Sequence, residues 1–82
     1  MDYDLDDELE LFYEIVSNNV AKIRKEQGYS QLKLANEIGH QNATFIGKAE
    51  LLAENKHFNL EHIFKISKIL DIPIRSFFEP IK

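Results

Sequence analysis

Apolar side chains recur at helical spacing along the first third of the chain. From Leu9 to Gln27 they lie mostly three or four residues apart, which predicts a long first helix that Gly28 ends. Residues 1–8 precede this pattern and are mostly acidic, so they are predicted to form a separate N-terminal leader. The first three turns of the helix exceed what a small helical core needs. They either pack on a partner chain or form a solvated extension.

Two short amphipathic helices follow. Ser30 is a suitable N-cap for the first of them, and Gly39 ends it. A polar run comes next, and apolar residues return from Phe45 onwards, which predicts another helix over about residues 42–52. Its outer side is expected to carry small or polar side chains that can lie against another molecule. These are Asn42, Ala43, Thr44, Gly47 and Lys48.

The last third of the chain repeats the helical pattern twice. Asn59 is a suitable N-cap for a fourth, strongly amphipathic helix. Pro73 fixes a backbone angle that suits the start of a short fifth helix over residues 74–78, in which Phe77 is expected to close the core. The pattern therefore predicts an all-α fold, a compact five-helix bundle with an extended N-terminal helix, formed by one domain over residues 9–82.

The two central helices carry a recognisable set of residues in order. Ser30 and Gln31 are followed by Leu34 and Ala35, by Gly39, and by the run F-I-G-K-A-E over residues 45–50. This order resembles the helix-turn-helix of the Xre, Cro and phage-repressor family over about residues 16–79. The resemblance implies a lambda-repressor-like DNA-binding fold in which the third helix enters the major groove. Residues 51–55 stand where the family normally has an Asn-Gly turn.

The resemblance and the polar outer side of the third helix select candidate DNA-binding residues. Gln31 begins the second helix, and the resemblance implies that it contacts the DNA backbone. Glu50 resembles a structural glutamate of the family, expected to be hydrogen-bonded within the fold rather than to DNA. The full set of candidates comprises Gln31, Gln41, Asn42, Ala43, Thr44, Gly47, Lys48 and Lys56.

Most of these candidates also have a structural interpretation. Lys48 can reach a guanine edge or a phosphate, or it can be a solvated lysine. Asn42 can bind adenine through its amide or cap the helix. Ala43 and Thr44 are small enough for close approach to DNA and can contact a thymine methyl or a phosphate. Glycine inside a helix costs about 0.8–1 kcal/mol relative to alanine, so Gly47 marks either a close approach to DNA or a tolerant exposed position.

Charge is distributed unevenly along the 82 residues, whose formal net charge is −4. Residues 1–14 hold seven carboxylates and no Lys or Arg, whereas residues 15–82 hold ten Lys and Arg against seven acids and carry +3. A mildly basic body is compatible with phosphate binding. The acidic N-terminal segment favours an alternative function, a protein-interaction module on a helix-turn-helix scaffold that acts like an antitoxin or a DNA mimic.

Several classes of protein are disfavoured. The chain has no cysteine, which excludes disulfides and thiol chemistry and fits a reducing cytoplasm. No apolar run approaches the roughly 18–20 residues of a membrane span. His40, His57 and His62 lack the spacing of convergent metal ligands, and no catalytic motif occurs. We expect a cytoplasmic protein that is not an enzyme, with no cofactor, metal, membrane partner or small-molecule ligand domain.

A chain of this size buries only about 60–65 per cent of the surface that its unfolded state exposes, so dimerisation would add stability. The resemblance also implies a two-fold homodimer on double-stranded DNA. The candidate interface residues are Phe12, Tyr13, Ile74, Phe78 and Ile81. The leading expectation is therefore a small transcriptional regulator, of the repressor or controller type, that binds specific duplex sequences.

Overall fold

The computed structural model describes residues 4–39 and 42–81, and the regular structure in these ranges is entirely helical. Its four α-helices are α1 (Leu5–Glu26), α2 (Gln31–Glu37), α3 (Ala43–Leu51) and α4 (Leu60–Leu70). Two 3₁₀ turns, Ala53–Asn55 and Ile74–Phe77, follow α3 and α4 respectively. The predicted all-α class is confirmed.

The predicted caps of α2 and α4 are confirmed. The Ser30 side chain accepts a 2.9 Å hydrogen bond from the Lys33 backbone N–H. Asn59 accepts one of 2.8 Å from the His62 N–H, and the His62 ring nitrogen Nδ1 accepts one of 3.1 Å from the Asn59 N–H, which completes a capping box. Gly39 follows α2 with a φ of +78°, a conformation that glycine adopts without steric cost.

The acidic leader does not stand apart from the first helix as predicted. α1 begins at Leu5 because the Asp4 carboxylate accepts a 2.9 Å hydrogen bond from the Asp6 N–H and so caps the helix. Carboxylates in the first turn stabilise the helix because the N-terminal end of its dipole is positive. Residues 4–8 therefore belong to the cap and first turn of α1, and residues 1–3 lie outside the described residues.

The predicted fifth helix is a single 3₁₀ turn over Ile74–Phe77. Its hydrogen bonds join residues three apart, from the Ser76 N–H to the Pro73 oxygen and from the Phe78 N–H to the Arg75 oxygen. Six residues separate Pro73 from Pro80, and Pro80 disfavours a helical conformation at Glu79, so the segment has room for little more than one turn. The five-helix count is wrong for this reason.

Each of the four helices contributes to one hydrophobic core. Its buried apolar residues are Val16, Val20, Leu34, Ala35, Ile38, Ile46, Ala49, Phe58, Ile63, Ile66, Leu70 and Phe77. Phe77 is fully buried, as predicted. The buried amide of Asn19 in α1 donates hydrogen bonds of 2.9 and 2.7 Å to the oxygens of Phe77 and Glu79, and so holds the C-terminal segment against α1.

The first half of α1 contributes little to this core. Leu5 and Leu11 are mostly exposed, and Leu9 and Phe12 are each 44% exposed. The buried part of the helix begins at Val16. About three turns of α1 therefore present apolar side chains to the surface, in a segment that also carries five of the six acidic residues of α1.

Candidate nucleic-acid interface

The predicted helix-turn-helix corner is formed by α2 and α3. Of all pairs of elements in the described chain, these two have the most extensive mutual contact. The Asn42 side chain accepts a 2.8 Å hydrogen bond from the Thr44 N–H and caps α3. The structure thus shows the capping role of Asn42, and α3 has nearly the predicted boundaries.

A buried ion pair fixes this corner to α1. Arg24 and Glu50 are only 6% and 8% exposed, and two parallel hydrogen bonds join them, 2.6 Å from Nε to Oε2 and 2.9 Å from Nη2 to Oε1. Arg24 also donates a 2.8 Å bond from Nη1 to the Tyr29 oxygen. Bidentate geometry of this kind offsets the loss of hydration that two buried charges suffer. The expectation that Glu50 is hydrogen-bonded within the fold is confirmed.

Arg24 is a structural residue that the sequence analysis missed. It lies four residues after Val20 and eight after Val16, on the stripe of α1 that faces the core. A charged residue on an apolar stripe is a signal for a buried partner, because an unpaired charge in the core would be costly. That signal was present in the sequence.

Gln31 is half-buried and is engaged inside the fold. Its Nε2 donates a 3.1 Å hydrogen bond to Glu50 Oε1, so it joins the Arg24–Glu50 pair. The same side chain lies against α3 at Gly47, where a Cβ atom would meet Gln31 Oε1 at 3.1 Å. The DNA-backbone contact expected of Gln31 stays a prediction, and the structure adds a role in holding α2 on α3.

Two candidates on α3 are less exposed than predicted. Gly47 is half-buried, and its close neighbour is Gln31 of the same chain. Ala43 is half-buried and packs against the hydrophobic core. Ile46 and Ala49 are buried, and Ala43 and Gly47 lie at the borders of this buried side, where they are covered in part. The DNA contacts expected of both residues stay predictions.

The outer side of α3 is formed instead by Thr44, Lys48 and Leu51. Their spacing of four and three residues places them on one side of the helix. Thr44 is exposed, Lys48 is half-buried and Leu51 is 81% exposed. Leu51 lies within the predicted helix but was not among its predicted outward residues, so a large apolar side chain on this side was missed. We call these three residues the outer face of α3.

Lys48 is paired with a carboxylate of the connector, the segment over residues 52–59 that joins α3 to α4. Its Nζ forms an ion pair with Glu54, and both side chains are more than a third exposed. The hydrogen bond and positive charge of Lys48, with a smaller contribution from Lys56, lower the pKa of Glu54. Glu54 reaches Lys48 from a turn in which Leu52, Glu54 and Asn55 all have positive φ. This exposed partner competes with any phosphate or base for the Lys48 ammonium.

The remaining candidates are distributed over several places. Lys56 is exposed in the connector, while Gln41 lies outside the described residues. Phe12 stacks on Phe78 with ring centres 5.8 Å apart, and Tyr13 stacks on His57 at 4.2 Å. Ile81 lies on the other side of α1, near Leu11 and Ile15. Ile74 is 40% exposed at the start of the last turn.

The five predicted interface residues thus do not form one patch, although Phe12, Tyr13 and Phe78 line one shared hollow.

In residues 4–39 and 42–81, no three His, Asp or Glu side chains are grouped as a metal site. None of the described helices combines the length and the apolar character that crossing a membrane requires. Comparisons of the chain with protein-family models, with curated proteins and with solved structures gave no match.

Proposed function

We propose that this protein binds specific sequences of double-stranded DNA as a small transcriptional regulator of the Xre and Cro type. The observation that carries the proposal is the outer face of α3, which is exposed while the opposite side of the helix is fixed by the Arg24–Glu50 pair. A helix held in this way is preorganised for a rigid partner, so little conformational entropy is lost on binding.

The dimensions of α3 suit the major groove of B-DNA. An α-helix with its side chains is about 10–12 Å in diameter, and the groove is about 12 Å wide and admits one α-helix. The nine residues of α3 give it a length of about 13 Å along its axis. The outer face offers a hydroxyl, a cation and an apolar side chain. The hydroxyl can bind a phosphate or a base edge, and the cation can bind a guanine or a phosphate. The apolar side chain can contact a thymine methyl.

Exposed cationic side chains also occur on α2 and in the segment after α3. Lys33 on α2 and Lys56 after the 3₁₀ turn are both exposed. Phosphate contacts by such residues supply affinity without sequence preference. We expect Thr44 and Leu51 to supply the preference for particular DNA sequences.

A two-fold homodimer is part of the proposal, because one helix of this size contacts only a short stretch of DNA. Two copies of α3 would then reach successive major grooves, and bound duplexes would contain paired half-sites about 34 Å apart.

The test compares two lysines that have similar surroundings but lie on different helices. Lys48 and Lys65 are each paired with one exposed glutamate, and their side chains are 39% and 44% exposed. Duplexes are first selected from a random pool, and affinities are then measured by fluorescence anisotropy over a range of salt concentrations. We expect Lys48→Ala to weaken binding about tenfold and to reduce the slope of log K against log salt by about 0.9, whereas Lys65→Ala leaves both unchanged.

Two results would overturn the proposal. One is that no duplex is enriched by the selection and none binds at low salt. The other is that Lys48→Ala and Lys65→Ala weaken binding equally, since binding would then depend on overall charge and not on the outer face of α3.

A further inference from the structure

An apolar groove lies between α1 and α4, away from the outer face of α3. Its main lining residues are Leu9, Phe12, Tyr13, Leu60, Ile63 and Phe78, and its volume is about 420 Å³. Leu60 is 80% exposed at its edge, and Leu9 and Phe12 are also substantially exposed. Exposed apolar side chains grouped around a concave surface are typical of a site that binds an apolar partner.

Carboxylates flank the groove along α1. Leu5, Leu9, Phe12 and Val16 recur three or four residues apart, which places them on one stripe of the helix. Asp6 and Glu10 line a neighbouring hollow on one side of this stripe, where Lys56 is the basic neighbour. Helical geometry places Glu8 toward the other side. No Lys or Arg occurs between residues 4 and 21, so α1 presents an apolar stripe with an acidic border.

This charge distribution decides which occupant the groove suits. A second copy of the chain in two-fold contact would place the same surface on both sides of the interface. The carboxylates of α1 would then approach their own copies, and like charges at an interface disfavour association. A partner with basic side chains beside its apolar ones would meet the opposite charge.

We propose that the groove binds a cationic amphipathic helix of a different protein. The apolar side chains of that helix would lie against Phe12, Leu60 and Phe78, and its Lys or Arg residues would lie near the carboxylates of α1. The stripe from Leu5 to Val16 is about 17 Å long, which corresponds to three helical turns of the partner. This is the helix-in-groove mode of recognition, in which anchors at helical spacing give affinity and flanking charges give orientation.

A designed peptide serves as the probe. It has fourteen residues, consists of leucine and lysine with leucine at helical spacing, and carries fluorescein at its N-terminus. Two control peptides have glutamate in place of lysine, or the same composition in scrambled order. Anisotropy titration of the full chain should show saturable binding of the probe that weakens with salt. The glutamate peptide should not bind, and the scrambled peptide should bind at least about tenfold more weakly.

Two exposed leucines give a matched pair of variants. Leu60 and Leu51 are 80% and 81% exposed, so replacing either with glutamine should leave the fold intact. We expect Leu60→Gln to weaken binding of the probe at least about tenfold and Leu51→Gln to leave it unchanged. Glu10→Gln should weaken binding at low salt and have little effect at high salt. Circular dichroism checks that each variant is folded.

The proposal does not depend on DNA binding, because Leu60→Gln should leave duplex affinity unchanged. Equal binding of the probe by wild type and Leu60→Gln, or by probe and scrambled peptide, would overturn it. Sedimentation showing a dimer that Leu60→Gln dissociates would also overturn it, because the occupant of the groove would then be a second copy of this chain.

Discussion

The Glu50 carboxylate is the residue on which the position of α3 depends. Oε2 accepts a hydrogen bond from Arg24 on α1, and Oε1 accepts one from Arg24 and one from Gln31 on α2. Removing one partner of such a buried pair typically costs about 3–5 kcal/mol. A substitution at Glu50 or Arg24 would therefore loosen α3 and weaken the proposed DNA binding, whether or not either residue touches DNA.

Gly47 tests how tightly this network constrains its neighbours. Alanine at an interior helical position is about 0.8–1 kcal/mol more favourable than glycine, but a Cβ at residue 47 would lie 3.1 Å from Gln31 Oε1. Gln31 would have to move while bonded to Glu50. We expect Gly47→Ala to raise the free energy of unfolding by less than about 0.5 kcal/mol, and by the full 0.8–1 kcal/mol in a Gln31→Ala background.

Urea denaturation of the four proteins in this double-mutant cycle measures the difference. An equal gain in both backgrounds would show that Gln31 does not oppose a side chain at position 47. Duplex affinity provides a second readout. We expect it to be unchanged in Gly47→Ala, because the close neighbour of Gly47 is within the chain, and a marked loss of affinity would favour the close approach to DNA.

At the scale of the element, the C-terminal end of α4 contains a position where the sequence is not optimal. Asp71 has a φ of +54°, and the Ile72 N–H donates back to the Ser67 oxygen in the manner of a Schellman cap. Glycine favours this conformation, and an acidic side chain is unfavourable near the negative end of the helix dipole. We expect Asp71→Gly to raise the free energy of unfolding by about 1 kcal/mol.

Two further substitutions separate the two causes in the same thermal or urea measurement. Asp71→Asn removes the charge and keeps a side chain that tolerates positive φ, so it should give part of the gain. Asp71→Ala also removes the charge, but alanine disfavours this conformation. The free energy of unfolding of Asp71→Ala should therefore be about 1 kcal/mol lower than that of Asp71→Gly. If alanine stabilises as much as glycine, charge alone explains the effect.

The elements that the sequence predicted well are those with local signals. Ser30 and Asn59 begin α2 and α4 through contacts within three residues of the cap, and such contacts can be inferred from residue types alone. The start of α1 was missed because Asp4 was interpreted as part of an acidic run, although aspartate is also a good N-cap. The last helix was overestimated because the prolines at both ends limit its length.

The candidate interface was harder to predict because its contacts depend on tertiary geometry. The Lys48–Glu54 pair forms across a turn with three positive-φ residues, none of them glycine. The positions of Gln31 and Gly47 depend on how closely α2 packs on α3. The partial burial of Ala43 and Gly47 likewise depends on the packed structure, because neighbouring side chains cover them.

At the scale of the whole molecule, the acidic half of α1 lies close to a residue proposed to contact DNA. Asp6 and Glu10 share a hollow with Lys56, Leu52 and Asn55, which follow α3 directly in the chain. Carboxylates at this position reduce the positive potential that a phosphate would experience near Lys56. We therefore expect the net charge of −4 to affect the proposed DNA binding through the location of these charges as well as through their sum.

Neutralising different pairs of acids distinguishes a local effect from a general one. Asp6→Asn/Glu10→Gln and Asp7→Asn/Glu8→Gln each remove two negative charges, but only the first pair lines the hollow with Lys56. We expect both variants to bind a selected duplex more tightly than wild type at about 50 mM salt, and the gain in affinity to be about threefold larger for the first variant than for the second. The difference between the variants should vanish at about 1 M salt, because the Debye length there is only about 3 Å. Equal tightening would mean that the acidic half of α1 acts on DNA binding only through net charge, and no tightening would mean that it lies too far from the bound duplex to matter.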